Sequence, residues 1–323
     1  HWRQKRPESF RSIYIKMIKG LELSKHYYET YGRTMLAQFP QIGGEYAAGL
    51  VGRGSECFGF DDEISMDHDY GPSFCVWLPG ELYKQYGEMV QTAYDKMPAD
   101  FLGVPGRVSE ETGKDRVGVL CLEDFYYSLL GIDHVPETNL EWLRLQDENL
   151  ATATNGEIFE DRSGAFSRIR TGLLSYYPED VRIKKIVARM AKMSRAGQYN
   201  YARAMQRGER VAAELFLGEF IRESIRLVYL LNRRYAPFDK WSHRGMKELS
   251  TCSEIGDMIA LFYQVERTED RVLIIEAICN IIVQELNAQG LSGLEDNFLQ
   301  NHLQTVTEKI EDEMIQKMQF LEG

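Results

Sequence analysis

The stretch that decides the reading is Gly52-Arg53-Gly54-Ser55-Glu56-Cys57-Phe58-Gly59-Phe60-Asp61-Asp62-Glu63-Ile64-Ser65-Met66-Asp67-His68-Asp69-Tyr70-Gly71-Pro72. Ahead of it, Tyr46-Ala47-Ala48-Gly49-Leu50-Val51 has the length and composition of a short buried strand, and it runs straight into Gly54-Ser55. Glycine lets an anion approach the main chain closely, and successive N–H groups at such a turn form an anion-binding concavity. The Ser55 hydroxyl adds a donor. After an eleven-residue spacer, 56–66, come Asp67 and Asp69. At i and i+2 on an extended segment two side chains point the same way, so both carboxylates can reach one cation. Mg²⁺ suits them, being held typically by one or two carboxylates and by substrate phosphates. Without a metal, carboxylates opposite a phosphate loop would repel a triphosphate. A polar surface loop of turn residues is the simpler alternative. Asp61, Asp62 and Glu63 read as a solvated acidic turn. His68 points away from the aspartates, and His26, His134, His243 and His302 have no ligand spacing.

Working outward, apolar residues recur at helical spacing from about Ser9 to Phe39, with Gly20 and Gly32 as interruptions and Pro40 as the stop. On the other side, Phe74–Leu78 reads as a second strand, Gly80–Lys96 as a helix and Val117–Leu122 as a third strand. Beyond about Leu140 strand signals fade. Helical patterns cover Leu140–Leu150, Arg162–Leu174, Pro178–Gln206, Glu209–Arg233, Cys252–Tyr263, Arg271–Leu286 and Leu294–Leu321. The expected fold is therefore α+β: a small mixed-sheet domain over 1–135 with an N-terminal helix, then an all-helical bundle over 136–323. His134-Val135-Pro136 marks the break. There is no internal repeat and no low-complexity tract.

Composition narrows the function. A net charge of −11 argues against a general nucleic-acid binder, whose affinity rests on cations against phosphate. Five scattered cysteines without a CxxC give neither a disulfide framework nor a zinc site, and Cys57 and Cys75 read as small apolar fillers. No apolar run nears the roughly 20 residues of a membrane span. The start lacks a signal-like apolar core, and a cytoplasmic location is expected. Within the acidic chain, 182–210 holds nine basic side chains against Glu209 alone. Such a run is either a solvated helix face or a basic wall for a polyanion. The tyrosines 176, 177, 199, 201, 229 and 235 read mostly as interhelical packing.

The motifs Gly-x-Gly-Ser-Glu (52–56), Gly-Phe-Asp-Asp-Glu-x-Ser (59–65) and Asp-His-Asp-x-Gly-Pro (67–72) resemble the nucleotidyltransferase superfold. That superfold holds the kanamycin and lincosamide nucleotidyltransferases and DNA polymerase beta. Together with Leu231-Asn232-Arg233-Arg234-Tyr235-Ala236-Pro237-Phe238-Asp239-Lys240-Trp241, they look like an uncharacterised bacterial branch of it, known mainly as a domain of unknown function with a helical C-terminal half. The resemblance implies transfer of a nucleoside monophosphate from a nucleoside triphosphate, ATP among the candidates, to a small molecule, a tRNA or a protein. Gly54 and Ser55 would hold the outgoing phosphates, with Arg53 and Lys240 as cationic arms, and Asp67 and Asp69 would bind Mg²⁺. The superfold usually carries a third acid on a later strand. The Val117–Leu122 run has none, which leaves Glu123 as the nearest substitute and Glu157 and Asp161 as weaker ones. Two further functions compete with transfer: a catalytically weak nucleotide-binding or regulatory module, and an antitoxin-like interaction protein.

Overall fold

The computed structural model describes residues 18–65, 70–107 and 116–323. The described residues form two compact units, one within 1–120 together with 156–162 and the other of 121–155 with 163–323. That division runs along a different line from the break expected near residue 135. The reason is a strand that the sequence reading left among helices, Glu157–Asp161, which returns to the first unit.

The first unit is built on the strands β1 (Ala47–Leu50), β2 (Cys75–Leu78), β3 (Gly118–Cys121) and β4 (Glu157–Asp161), in the spatial order β3-β2-β1-β4. β1 is antiparallel to both neighbours, pairing Ala48 with Val76 on one side and with Glu160 on the other. The Gly118 N–H donates to Phe74 O at 3.0 Å, so β3 starts beside the start of β2 and the two run in the same direction. A mixed sheet results. Both β1 and β2 are buried along their whole length, which is why they read from sequence as continuous apolar runs.

Three helices cover one face: α1 (Gly20–Tyr27), which continues through a π-helical turn at Tyr28–Gly32 into α2 (Arg33–Leu36), and α3 (Gly80–Tyr94). Tyr27, Tyr28, Met35, Leu36 and Val90 meet Ala48, Phe74, Val76, Leu78 and Val119 in one apolar cluster. Gly32 does not interrupt the helix. A Cβ there would lie 2.7 Å from the Phe74 ring, so glycine is what admits the ring. Tyr94 stands in for a strand partner at Phe74: its hydroxyl donates to Phe74 O at 2.8 Å and accepts from Phe74 N–H at 2.9 Å. Gln91 does the same at the sheet edge, its Oε1 accepting from Val119 N–H at 2.7 Å.

The second unit is helical: α4 (Leu122–Leu130), α5 (Asn139–Arg144), α6 (Asp147–Thr154), α7 (Ala165–Leu174), α8 (Glu179–Met193), α9 (Ala202–Gln206), α10 (Arg210–Leu231), α11 (Asp239–Gly245), α12 (Glu254–Leu261), α13 (Thr268–Ala288), α14 (Leu303–Thr307) and α15 (Glu313–Gln316). α8 is its centre. Every residue from Val181 to Ala191 is buried, Arg182, Lys184, Lys185 and Arg189 included. Over these four residues the basic run is therefore neither a solvated face nor a basic wall, whereas Arg195, Arg203, Arg207 and Arg210 are exposed. Three of the four buried cations donate to carbonyls near the C-terminal ends of other helices, and Arg182 also pairs with Glu179 on its own helix at 2.6 Å. Lys185 donates to Leu145 O behind α5 at 3.0 Å, Arg182 to Leu230 O in the last turn of α10 at 3.3 Å, and Lys184 to Met318 O and Gln319 O behind α15 at 2.9 and 2.8 Å. Helix C-termini carry orphan carbonyls and partial negative charge, so a buried cation there is both hydrogen-bonded and partly neutralised. Asp147, at 3.8 Å from Lys185, and Glu223, at 2.8 Å from Arg189, supply full counter-charges.

The tyrosines mostly pack, as expected. Tyr177, Tyr201 and Tyr229 are buried, while Tyr199 is exposed under the Arg203 guanidinium. No helix among the described residues is long and apolar enough to cross a membrane.

Candidate functional site

β1 ends at Leu50, and the chain turns through Gly52 at φ 134° to Gly54 and Ser55. A 3₁₀ turn over Glu56–Phe58 follows and closes at left-handed Gly59. Inside the turn Cys57 N–H donates to Gly54 O and Phe58 and Phe60 N–H to Ser55 O. The N–H groups that open it, at Gly54, Ser55 and Glu56, have no partner among the described residues. These are the donors a phosphate would use. Arg53 beside them is exposed.

β4 is pressed against this turn. Gly156 N–H donates to Cys57 O at 2.8 Å, and Glu157 pairs with Leu50. Gly156 has φ +61°, and a Cβ on it would lie 1.9 Å from Leu50 O, so only glycine allows the approach. Glu157 thus stands on the strand next to the one that ends in Gly54-Ser55. Its Oε1 accepts from Lys25 Nζ at 2.5 Å, and the pairing raises the lysine's pKa.

Sequence reasoning passed over two side chains here. A Cβ built on Gly54 would meet Glu56 Oε1 at 2.3 Å, so this carboxylate folds back over the glycine. Buried Arg107 lies 3.9 Å from Glu56 and donates to Ser73 Oγ at 3.0 Å. It thereby ties the Gly54-Ser55 turn to the segment that follows Asp69. Arg107 sits in an unpatterned loop, and nothing in its local sequence announces that position.

Asp61 corrects the reading of a solvated acidic turn. It is only 4% exposed, and its Oδ2 accepts from Gly20 N–H at 2.9 Å at the start of α1. Lys19 donates to its main-chain oxygen, and Lys19 Nζ lies 3.4 Å from Oδ1. Asp62 fits the turn reading, its Oδ1 accepting from Ile64 and Ser65 N–H at 3.1 Å. Cys57 and Cys75 are buried, and burial pushes both thiols up, Cys75 to about 12. Neither is a nucleophile near neutral pH.

Asp67 and Asp69 lie outside the described residues, as does His68. Glu123 belongs to the helical unit, in the first turn of α4, and accepts from Cys121 Sγ at 3.3 Å. Lys240 is also in the helical unit, on α11, with its ammonium 4.8 Å above the Trp241 ring. No group of three or more His, Cys, Asp or Glu that could hold a metal occurs among the described residues.

Fold and turn together define an α+β protein with a Gly-Ser turn and an edge-strand carboxylate in its sheet unit. Residues 142–242 match a family described as a domain of unknown function (DUF4037). Among solved structures, the chain is similar to a nucleotidyltransferase-like protein from Exiguobacterium sibiricum 255-15. The likeness has a TM-score of 0.39 and 12% identity, over 87% of this chain and 77% of that one. A likeness that distant is no guide to chemistry. The comparison with curated proteins gives no match.

Proposed function

We propose that the chain is a nucleotidyltransferase acting on a Mg²⁺-bound nucleoside triphosphate, with a small molecule, a tRNA or a protein as acceptor. One observation carries this reading: Glu157 is held on the strand next to the Gly54-Ser55 turn by the Gly156–Cys57 hydrogen bond and the pairing with Leu50. Glu157 then takes the part of the third acid in place of Glu123, because it shares a compact unit with the turn. The donor set suits Mg²⁺, since Asp67 and Asp69 are carboxylates and neither a thiolate nor an imidazole is among the donors. When bound, the ion would neutralise charge on the phosphates and on the pyrophosphate leaving group. The open N–H groups at 54–56 and the Arg53 side chain orient the outgoing phosphates. An acceptor oxygen attacks the α-phosphorus, the bond from that phosphorus to the bridging oxygen breaks, and pyrophosphate departs. Glu157 takes the acceptor's proton once Lys25 releases it.

The test is titration of the four nucleoside triphosphates with and without Mg²⁺ by thermal shift, paired with transfer of label from the α-phosphate. D67N and D69N are each expected to abolish Mg²⁺-dependent binding or transfer without unfolding the protein. E157Q should abolish transfer and leave binding. Mg²⁺-dependent binding that survives in both aspartate variants sinks the reading. The Lys25–Glu157 pair and the Glu56 carboxylate over Gly54 favour a second function, a nucleotide-binding or regulatory module without turnover. Binding of a triphosphate with no label transfer in the wild type would select it.

A further inference from the structure

At the other end of β4 from Glu157 the sheet unit holds a cavity of ≈ 500 Å³, within the range of small-ligand pockets. Leu36, Phe39, Pro40 and Ile42 form an apolar wall, and the charged lining consists of Arg33, Arg162 and Glu160. Glu160 is the anchor. Tyr28 Oη donates to its Oε2 at 2.7 Å and Tyr46 Oη to its Oε1 at 3.1 Å. Arg162 Nε donates to Oε1 at 2.6 Å, and Arg33 Nε lies 3.4 Å from Oε2. Burial opposes ionisation of this carboxyl, yet the bonds from Tyr28, Arg162 and Tyr46 hold it below the usual carboxylate range.

The arrangement is more than a surface ion pair. A carboxylate 15% exposed orients two guanidiniums that are themselves 54% and 68% exposed. Each engages Glu160 through Nε, so both terminal nitrogens of each remain for a ligand. The Tyr28 ring lies 5.7 Å from the Arg33 guanidinium carbon and steadies it from beneath. Across the pocket the Arg162 Nη1 atom lies 3.9 Å from where a Cβ on Gly44 would stand, and Gly43 and Gly44 both have positive φ. Side chains at those two turn positions would be strained, and a Gly44 Cβ would project toward the guanidinium.

We infer that this pocket binds a small organic carboxylate, its anionic end forked by Arg33 and Arg162 and its apolar body against Phe39 and Ile42. The lining sums to one positive charge, two guanidiniums less one carboxylate, which a monoanion balances and a phosphate dianion overfills. Guanidinium and carboxylate match in bidentate geometry, and the wall takes the apolar part. The inference does not depend on the nucleotide reading, since none of these residues belongs to the Gly54-Ser55 turn.

Benzoate is a suitable probe. Titrated into the full chain at pH 7.5, it should give saturable amide shifts at Gly43, Gly44 and Tyr46. R33Q and R162Q, both at exposed positions and each checked for an unchanged melting temperature, should each weaken binding by about tenfold, the worth of one charged hydrogen bond. Inorganic phosphate, largely dianionic at that pH, should bind more weakly than benzoate. Three outcomes overturn the inference: no saturable shift with benzoate, benzoate affinity unchanged in R33Q and R162Q, or phosphate binding tighter than benzoate.

Discussion

Gly156 is the residue on which the site geometry turns. Alanine there faces two penalties, a left-handed φ and a Cβ 1.9 Å from Leu50 O. The first alone costs a non-glycine residue about 1 kcal/mol, and the clash adds to it by forcing β4 away from β1. Gly156→Ala is expected to lower stability by more than about 1 kcal/mol in urea melts. Loss of the Gly156–Cys57 bond should also show as faster hydrogen exchange of the residue-156 amide, the donor in that bond. Unchanged stability would mean that β4 can shift without cost. None of this was legible beforehand, because a lone glycine in Thr154-Asn155-Gly156-Glu157 reads only as a turn. Asp61 misled for a related reason: its partner, the Gly20 N–H, is 41 residues away in sequence.

At the scale of elements, legibility followed burial. β1 and β2 stand out because their apolar runs end at glycine or proline and are buried on both faces, and β3 because its apolar run follows Gly118 and is buried except at Leu120. β4 does not, since Glu157-Ile158-Phe159-Glu160-Asp161 carries three acids at a half-exposed sheet edge and a register shift against Ala48 and Gly49. Edge strands are commonly charged in this way, which protects them from pairing with other chains and hides them from pattern reading. α8 misled in the opposite direction, with cations that are interior. Its Arg189–Glu223 pair makes a firm prediction. Glu223→Leu alone strands a buried guanidinium and should cost about 3–5 kcal/mol. Arg189→Met together with Glu223→Leu should recover most of that loss, since apolar replacement of a buried ion pair is often neutral or stabilising. Additive losses in a denaturant-based double-mutant cycle would show that each residue acts through other partners, such as Gly323 O for Arg189 and Arg226 for Glu223.

The whole molecule is divided along a line that crosses the chain three times, after 120, 155 and 162. The sheet unit is therefore not a continuous N-terminal piece, although the Gly54-Ser55 turn and the first three strands all precede residue 135. A fragment of residues 1–135 lacks β4 and presents the full edge of β1 to solvent. It is expected to show no cooperative thermal transition by circular dichroism and to aggregate where the intact chain does not. A sharp, reversible melt of that fragment would mean that β4 is dispensable to the sheet.

The return of β4 also sets a schedule for the newborn chain. β1 must wait for a partner 107 residues further on, from Leu50 to Glu157. At roughly 5–20 residues per second, translation leaves that gap open for about 5–20 s. During that interval the sheet has its middle strands and lacks one edge, while the first helices of the other unit emerge. Contacts this distant in sequence slow folding and leave incomplete sheets open to misassociation. Overexpression should therefore favour inclusion bodies at high synthesis rates, and slower synthesis should raise the soluble yield.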